Sequence, residues 1–325
     1  LSVAGMNDYC LVPPYVTRSV VPNIMIVYEK GADIVKGAYY GIAYDSTETY
    51  YGFLKSTANY SYNTASEYFE QPAVACTPTG TNNCFSGDLL NWAFMSSLDI
   101  ARKALIGFGW DDTLSGAPAA GDAFTYSGNF CINAGSWTSN GTVCSNQTLT
   151  PISYTDLEDG NKCVNANVTI GGTDYSIAFD VKQTGGNPAK LEKIKYKIGA
   201  TAGAPTCSGT YTDIVSIGGS GKTIAMKFTD ETRTGIIQKY ADKDTNYQYD
   251  TDVPRFGVKR WNSGSAQQED IISDSSLTLA QRATFFRNLI SAVSKSPGTD
   301  PSTSYLSNMM EQAVNYFKGL SSTYQ

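Results

Sequence analysis

Oxygen-bearing side chains alternate along Asp242-x-Asp244-x-Asn246-x-Gln248-x-Asp250. Counted as a calcium loop, Asp242, Asp244, Asn246 and Asp250 fill the first, third, fifth and ninth positions, and Gln248 can offer its backbone carbonyl at the seventh. Alternation aims such ligands inward around a hard cation. Two positions depart from the pattern: Tyr247 stands where glycine is usual, and Val253 stands where the bidentate glutamate belongs. Asp252 is an imperfect substitute. A solvated acidic loop is the alternative reading.

Histidine is absent from all 325 residues. That removes Ser-His-Asp and Cys-His nucleophiles, His-ligated zinc hydrolases and Cys-x-x-Cys-His haem attachment together, so no haem is expected. Carboxylate-pair hydrolysis survives in principle. With 30 Asp and Glu, however, chance pairs are guaranteed and carry no signal. The expectation is a protein that is not an enzyme.

Seven cysteines suggest an oxidising compartment. Spacing suits local bridges Cys76–Cys84, Cys131–Cys144 and Cys163–Cys207, although six cysteines allow about 15 connectivities. Cys10 is left over, whether free, bonded to another chain or paired beyond Gln325. Zinc is the competing reading, but neither a Cys-x-x-Cys pair nor mixed Cys/His spacing occurs.

A net charge of −6 with no basic run argues against nucleic acid. Hydrophobic residues at 41% can build a core, and no apolar run approaches the roughly 18 residues of a membrane span. No charged, apolar leader precedes Leu1, so a signal peptide is expected to have been removed or never present. Low charge (17%), 30 Gly and 22 Tyr fit a secreted or surface-exposed β-rich protein. Tyrosine-rich packing of this kind serves strands and interfaces, and charge conduction is not expected. Four Asn-x-Ser/Thr triplets, at Asn59, Asn140, Asn146 and Asn167, match the glycosylation pattern, which is common by chance.

The elements that must position these groups read as mixed α/β. Pro13, Pro14 and Pro22 keep residues 1–22 extended. Val20 to Tyr28 is a near-continuous apolar strand of the kind covered on both faces. Aromatic-dense residues 38–62 suit short strands or a packed loop. A helix is expected from Asp88, as its cap, to Ile106, with Leu90, Ala93, Leu98, Ala101 and Leu105 as its buried stripe. Composition then shifts to Gly, Ser, Thr and Asn over 110–221, where 174–181 and 193–198 alternate as half-exposed strands. That stretch reads as an inserted, disulfide-stabilised antiparallel β subdomain between 23–109 and 222–325. Further elements are a helix over 230–240, a strand over 255–261, a capping-box helix over 278–293 and a helix over 304–318.

Several segments follow one another in a familiar order. They are Asp8-Tyr-Cys-Leu-Val-Pro-Pro-Tyr15, Pro22-Asn-Ile-Met-Ile-Val27, Ala43-Tyr-Asp-Ser-Thr-Glu-Thr-Tyr-Tyr-Gly-Phe53 and the helix-forming run from Cys84 through Gly87-Asp-Leu-Leu-Asn-Trp92 to Leu105. Gly235-Ile-Ile-Gln238, Arg255-Phe-Gly-Val258 and Ala313-Val-Asn-Tyr-Phe-Lys-Gly319 complete the series. Together they resemble the amino-terminal half of PilY-type type IV pilus biogenesis and tip-adhesin proteins. The resemblance brackets most of the chain and says little about 110–221.

The resemblance implies a von Willebrand factor A-like, doubly wound half-domain. In that family an Asp-x-Ser-x-Ser loop, a Thr and a further Asp hold an adhesion-site cation. Here the first motif reads Glu29-x-Gly31-x-Asp33, and Ser304 falls where the Thr would sit. The third loop would come near or after Gln325. The implied site is degenerate, able at most to hold a cation weakly through Glu29 and Asp33.

On this reading the chain ends about halfway through the sheet and leaves an apolar edge that invites another strand. A neighbouring copy or a second subunit would complete it, with 1–21 a donor for strand addition and a filament the outcome of a non-closing contact. The expected function is a secreted structural or adhesive protein that self-assembles. The alternative is a processed fragment of a calcium-modulated pilus tip adhesin, partnered by pilus machinery or a host surface ligand. A carboxylate-based hydrolase is the third class, and no motif supports it.

Overall fold

Along 173–182, Tyr175, Ile177, Phe179 and Val181 alternate with Asp174, Ser176, Ala178 and Asp180. This period of two sends one set into a core and the other to the opposite face of a sheet. The computed structural model describes residues 23–28, 37–39, 42–95, 97–106, 125–131, 162–182, 190–199, 209–218, 221–232, 235–241, 253–262, 265–269 and 313–314. In chain order its elements are β1 (Asn23–Tyr28), β2 (Asn59–Asn63), β3 (Tyr68–Glu70), β4 (Phe85–Ser86), α1 (Gly87–Phe94), α2 (Ser97–Ile106), β5 (Thr125–Cys131), β6 (Lys162–Ile170) and β7 (Thr173–Lys182). They continue with β8 (Lys190–Ile198), β9 (Thr212–Ser216), β10 (Lys222–Thr223), β11 (Ala225–Thr232), α3 (Ile236–Ala241), β12 (Arg255–Asn262) and β13 (Ser265–Glu269).

The alternating strands β6, β7 and β8 form an antiparallel sheet, with β9 and β10 both paired to β8. The β6–β7 hairpin turns on Gly171 and Gly172, both at positive φ, as a two-residue connection of this hand requires. On β8, Leu191 and Ile194 are both buried although three positions apart. A register shift opposite Asp180/Val181 inserts the extra residue that turns both inward. A second mixed sheet runs β4-β2-β3-β11-β5, with β11 parallel to β3 and antiparallel to β5. A third places β12 between β1 and β13, parallel to β1 and antiparallel to β13.

The first two sheets and α1 share one core. Phe94 of α1 lies 5.0 Å from Phe179 of β7 and 5.9 Å from Phe69 of β3, and Phe85 of β4 lies 5.8 Å from Phe179. These edge-on and tilted contacts are the arrangements aromatic rings prefer. Glu67, in the β2–β3 turn, adds an ion pair to Lys222 of β10 at 2.8 Å. The composition break near residue 110 therefore does not divide two cores: strands β6 to β9 pack on the same aromatic centre as α1 and β2 to β4.

Two expectations change. The helix expected over 88–106 is two helices, because Met95 is extended (φ −73°, ψ 131°). Its carbonyl accepts from Ala38 N at 2.8 Å and its sulfur from Phe53 N at 3.4 Å, so the break ties the preceding segment down. The cap is Ser86, whose Oγ accepts from Leu89 N at 3.2 Å, while Asp88 serves the backbone of Tyr50. The helix expected over 230–240 begins only at Ile236, since 230–232 continue β11. On β1, Ile24 is 37% exposed and Met25, Ile26 and Val27 are half-buried. Among the described residues β1 pairs only with β12 and so forms a sheet edge. The expected helices over 278–293 and 304–318 lie outside the described residues, apart from two helical positions at 313–314.

Candidate functional site

Three segments distant in sequence meet at the start of α1. The first is the tyrosine-rich stretch that precedes β2. Tyr44 stacks on Tyr50 at 5.4 Å and meets Trp92 edge-on at 5.6 Å. Trp92 fixes the stretch from the helix side by donating Nε1–H to Ile42 O at 2.9 Å. Buried Asn91 donates to Tyr50 O and Leu54 O, each at 2.9 Å, and accepts from Leu54 N at 3.1 Å. One amide thereby satisfies three backbone groups that would otherwise be buried unpaired.

The second segment is the loop closed by a disulfide between Cys76 and Cys84, with an S–S distance of 2.02 Å. Asn82 braces it from within, donating to Thr77 O at 2.9 Å and accepting from Thr79 N at 3.0 Å. Gly80 lets the loop settle on β7, since a β-carbon there would meet the Tyr175 ring at 2.5 Å. The third segment is the end of β6, where Thr169 donates its hydroxyl to Asp174 Oδ1 at 2.6 Å.

Between them lies a cleft of about 260 Å³, lined by Tyr44, Ser46, Asn82, Ser86, Asp88 and Thr169 over an apolar floor that includes Phe85, Leu89 and Ile177. Asp88 is the one charged residue among its described lining. Its Oδ1 accepts from Tyr50 N at 2.9 Å. Burial pushes the Asp88 carboxyl above its ordinary value, against the lowering effect of that hydrogen bond. The Tyr44 hydroxyl is also raised, first by burial, then by the neighbouring Asp88 charge, although its hydrogen bond to the Ser86 side chain opposes this. The arrangement offers one carboxylate, several neutral hydroxyl and amide groups and a tyrosine ring. Among the described lining no base is paired with a nucleophile.

Of the residues singled out from the sequence, Cys84 lines the cleft. Glu29, Asp33 and Ser304, and the loop ligands Asp242, Asp244, Asn246, Gln248 and Asp250, fall outside the described residues, as do Cys10, Cys144 and Cys207. Cys131 and Cys163 are placed on β5 and β6 by their backbones alone. Val253, the twelfth position of the candidate calcium loop, is buried at 1% exposure. Among the described residues no three Cys, Asp or Glu side chains gather as a metal site, and no helix is long and apolar enough to cross a membrane. The cleft itself went unread in the sequence. Tyr44 and Asp88 belong to recognisable segments, but their meeting depends on the Asn91 and Trp92 ties across the fold.

No curated protein and no solved structure matches the chain. Residues 41–188, a stretch that takes in the cleft, both α1 and α2, and strands β2 to β7, match the family model described as the PilY1 homolog, small alpha/beta domain.

Proposed function

We infer that the chain is a secreted, non-enzymatic structural or adhesive protein of the kind associated with type IV pili. The match of residues 41–188 to the PilY1-homolog domain carries this reading. The ordered segments on either side, from Asp8 to Gly319, extend the likeness beyond the matched stretch. A location outside the cell and partners among pilus components follow from the same likeness. The finer reading gives β1, β12 and the sequence around them to a von Willebrand factor A-like sheet, with Glu29, Asp33 and Ser304 as a degenerate adhesion site. Parallel pairing of β1 with β12 is the connection such a sheet uses.

Assembly by strand addition completes the proposal. Among the described residues β1 pairs on one side only and Ile24 is exposed; its other side is where a donor strand from a neighbouring copy would add, with residues 1–21 as that donor. Electron microscopy of the native secreted protein, with its mass by light scattering, tests this. Regular filaments that vanish on deletion of 1–21 are the expected result. A calcium-insensitive monomer overturns assembly. A monomer whose stability responds to calcium moves the reading to a processed, calcium-modulated tip adhesin.

A further inference from the structure

We propose that the cleft at the start of α1 is a receptor for a primary ammonium group, the side chain of a lysine presented by a partner polypeptide. Three observations select that chemistry. The cleft holds a carboxylate and no Lys or Arg among its described lining, so no side-chain cation there offsets the repulsion an anionic ligand meets from Asp88. Among the described residues Asp88 Oδ1 is engaged by Tyr50 N and Oδ2 has no hydrogen-bond partner, which leaves an acceptor free at the cleft. Tyr44 supplies an aromatic surface beside that charge, and rings attract cations through their negative faces.

Charge decides between a cation and a neutral ligand such as a sugar. A polyol in the cleft strips water from Asp88 without neutralising it, and an unpaired charge is costly to desolvate. An ammonium group desolvates the same carboxylate and compensates it. Burial already pushes the Asp88 carboxyl up, so the site gains from a positive partner. A calcium ion needs about six to eight oxygen ligands, more than one carboxylate and scattered hydroxyls assemble. Size selects a single side chain: about 260 Å³ falls below the roughly 300–1,000 Å³ of pockets that take whole small molecules or cofactors. Recognition here does not depend on the assembly reading, and either can fail alone.

The probe is Nα-acetyl-lysine N-methylamide, titrated into the full-length protein at low ionic strength and followed by NMR. The same peptide acetylated on Nε, maltose and calcium chloride are run alongside it. Expected is saturable binding with a dissociation constant on the order of 1 mM, as befits so small a ligand. The Nε-acetylated probe should bind at least about tenfold weaker, since it keeps the shape and loses the charge. Asp88→Asn should weaken the lysine probe by a similar factor, because it keeps the Tyr50 N acceptor while removing the charge. Should Asp88→Asn fail to fold, Thr169→Trp, which crowds the mouth from an exposed position on β6, must abolish binding on its own. No saturable binding, equal binding of the acetylated probe, undiminished binding by a folded Asp88→Asn, or capture of maltose or calcium in place of the amine each overturns the proposal.

Discussion

A β-carbon on Gly52 would lie 2.2 Å from Oδ1 of Asn91, so this glycine opens the space that the buried amide occupies. Asn91 has no exposed surface and holds the backbone of Tyr50 and Leu54 through three hydrogen bonds. The Lys103 ammonium donates to Gly52 O from α2, and its Nζ also sits 4.5 Å from the centre of the Tyr51 ring. Segment 50–54 is thus held to both helices by polar side chains, and its apolar members Phe53 and Leu54 are delivered to the core.

Asn91→Leu is expected to cost about 3 kcal/mol or more, because it strands three buried backbone groups that each lose a partner. Gly52→Ala should also destabilise, since neither Asn91 nor Met95, whose Cγ would be 2.6 Å away, can yield without losing a bond. Urea denaturation checks both. A loss under about 1 kcal/mol for Asn91→Leu would mean that water replaces the amide and that the segment is not pinned as described.

Much of the strand content was legible, and the reason is local. Tyr175, Ile177, Phe179 and Val181 alternate over a stretch long enough to fix both strand and face. The apolar run after Pro22 and the start of the strand at Arg255 were equally plain. The helix break at Met95 was not, because nothing in Phe94-Met-Ser-Ser97 forbids helix; tertiary hydrogen bonds from Ala38 and Phe53 decide it. The β11 extension through 230–232 defeated helical spacing in the same way, through pairing with β5 at Glu231 and Thr232. Nor could composition show that β7 shares a core with α1, for Phe94 and Phe179 carry no mark of each other in sequence. The cleft was hidden for that reason.

Phe179 is fully buried and touches both Phe85 and Phe94, which places it where the two sheets and α1 meet. Phe179→Ala should cost about 3–5 kcal/mol through lost burial and a residual cavity. Because one core spans the composition break, unfolding of 50–95 and of 162–224 should remain a single transition in wild type. Tryptophan fluorescence of a variant that keeps Trp92 alone of the four tryptophans reports α1, and hydrogen exchange reports β6 to β8. Two separated transitions would show that the strands and the helix unfold as independent units.

Tyr62 presents the opposite case. Among the described residues its buried hydroxyl has no hydrogen-bond partner, and burial, helped by the Glu67 charge, pushes its ionisation far above the ordinary tyrosine range. The ring earns its place against Phe69 at 5.1 Å, and the oxygen contributes nothing visible. Tyr62→Phe is therefore expected to be neutral or to stabilise by about 1 kcal/mol, since it removes an unsatisfied buried group and keeps the ring. A thermal melt is enough to check it, and a clear loss of stability would reveal a hidden partner for the hydroxyl.

Asp88 gives the protein a pH dependence whose sign is fixed by burial. Its folded carboxyl titrates above the ordinary value of 3.8, so the folded state holds the proton more tightly than the unfolded chain. Its contribution to stability is fully present below the unfolded value and is lost as pH rises through the raised one. Asp45, lowered by its bonds to Thr47, acts in the opposite sense over the same acid range. Comparing wild type with Asp88→Asn cancels Asp45 and all other groups, because Asn mimics the neutral acid at every pH. The stability advantage of Asp88→Asn should therefore grow from about pH 3 upward and level off once the half-buried carboxyl is ionised. Wild type gaining on the variant as pH rises would instead mean that the charged carboxylate is favoured in the fold, by the α1 dipole or by an uncounted cation.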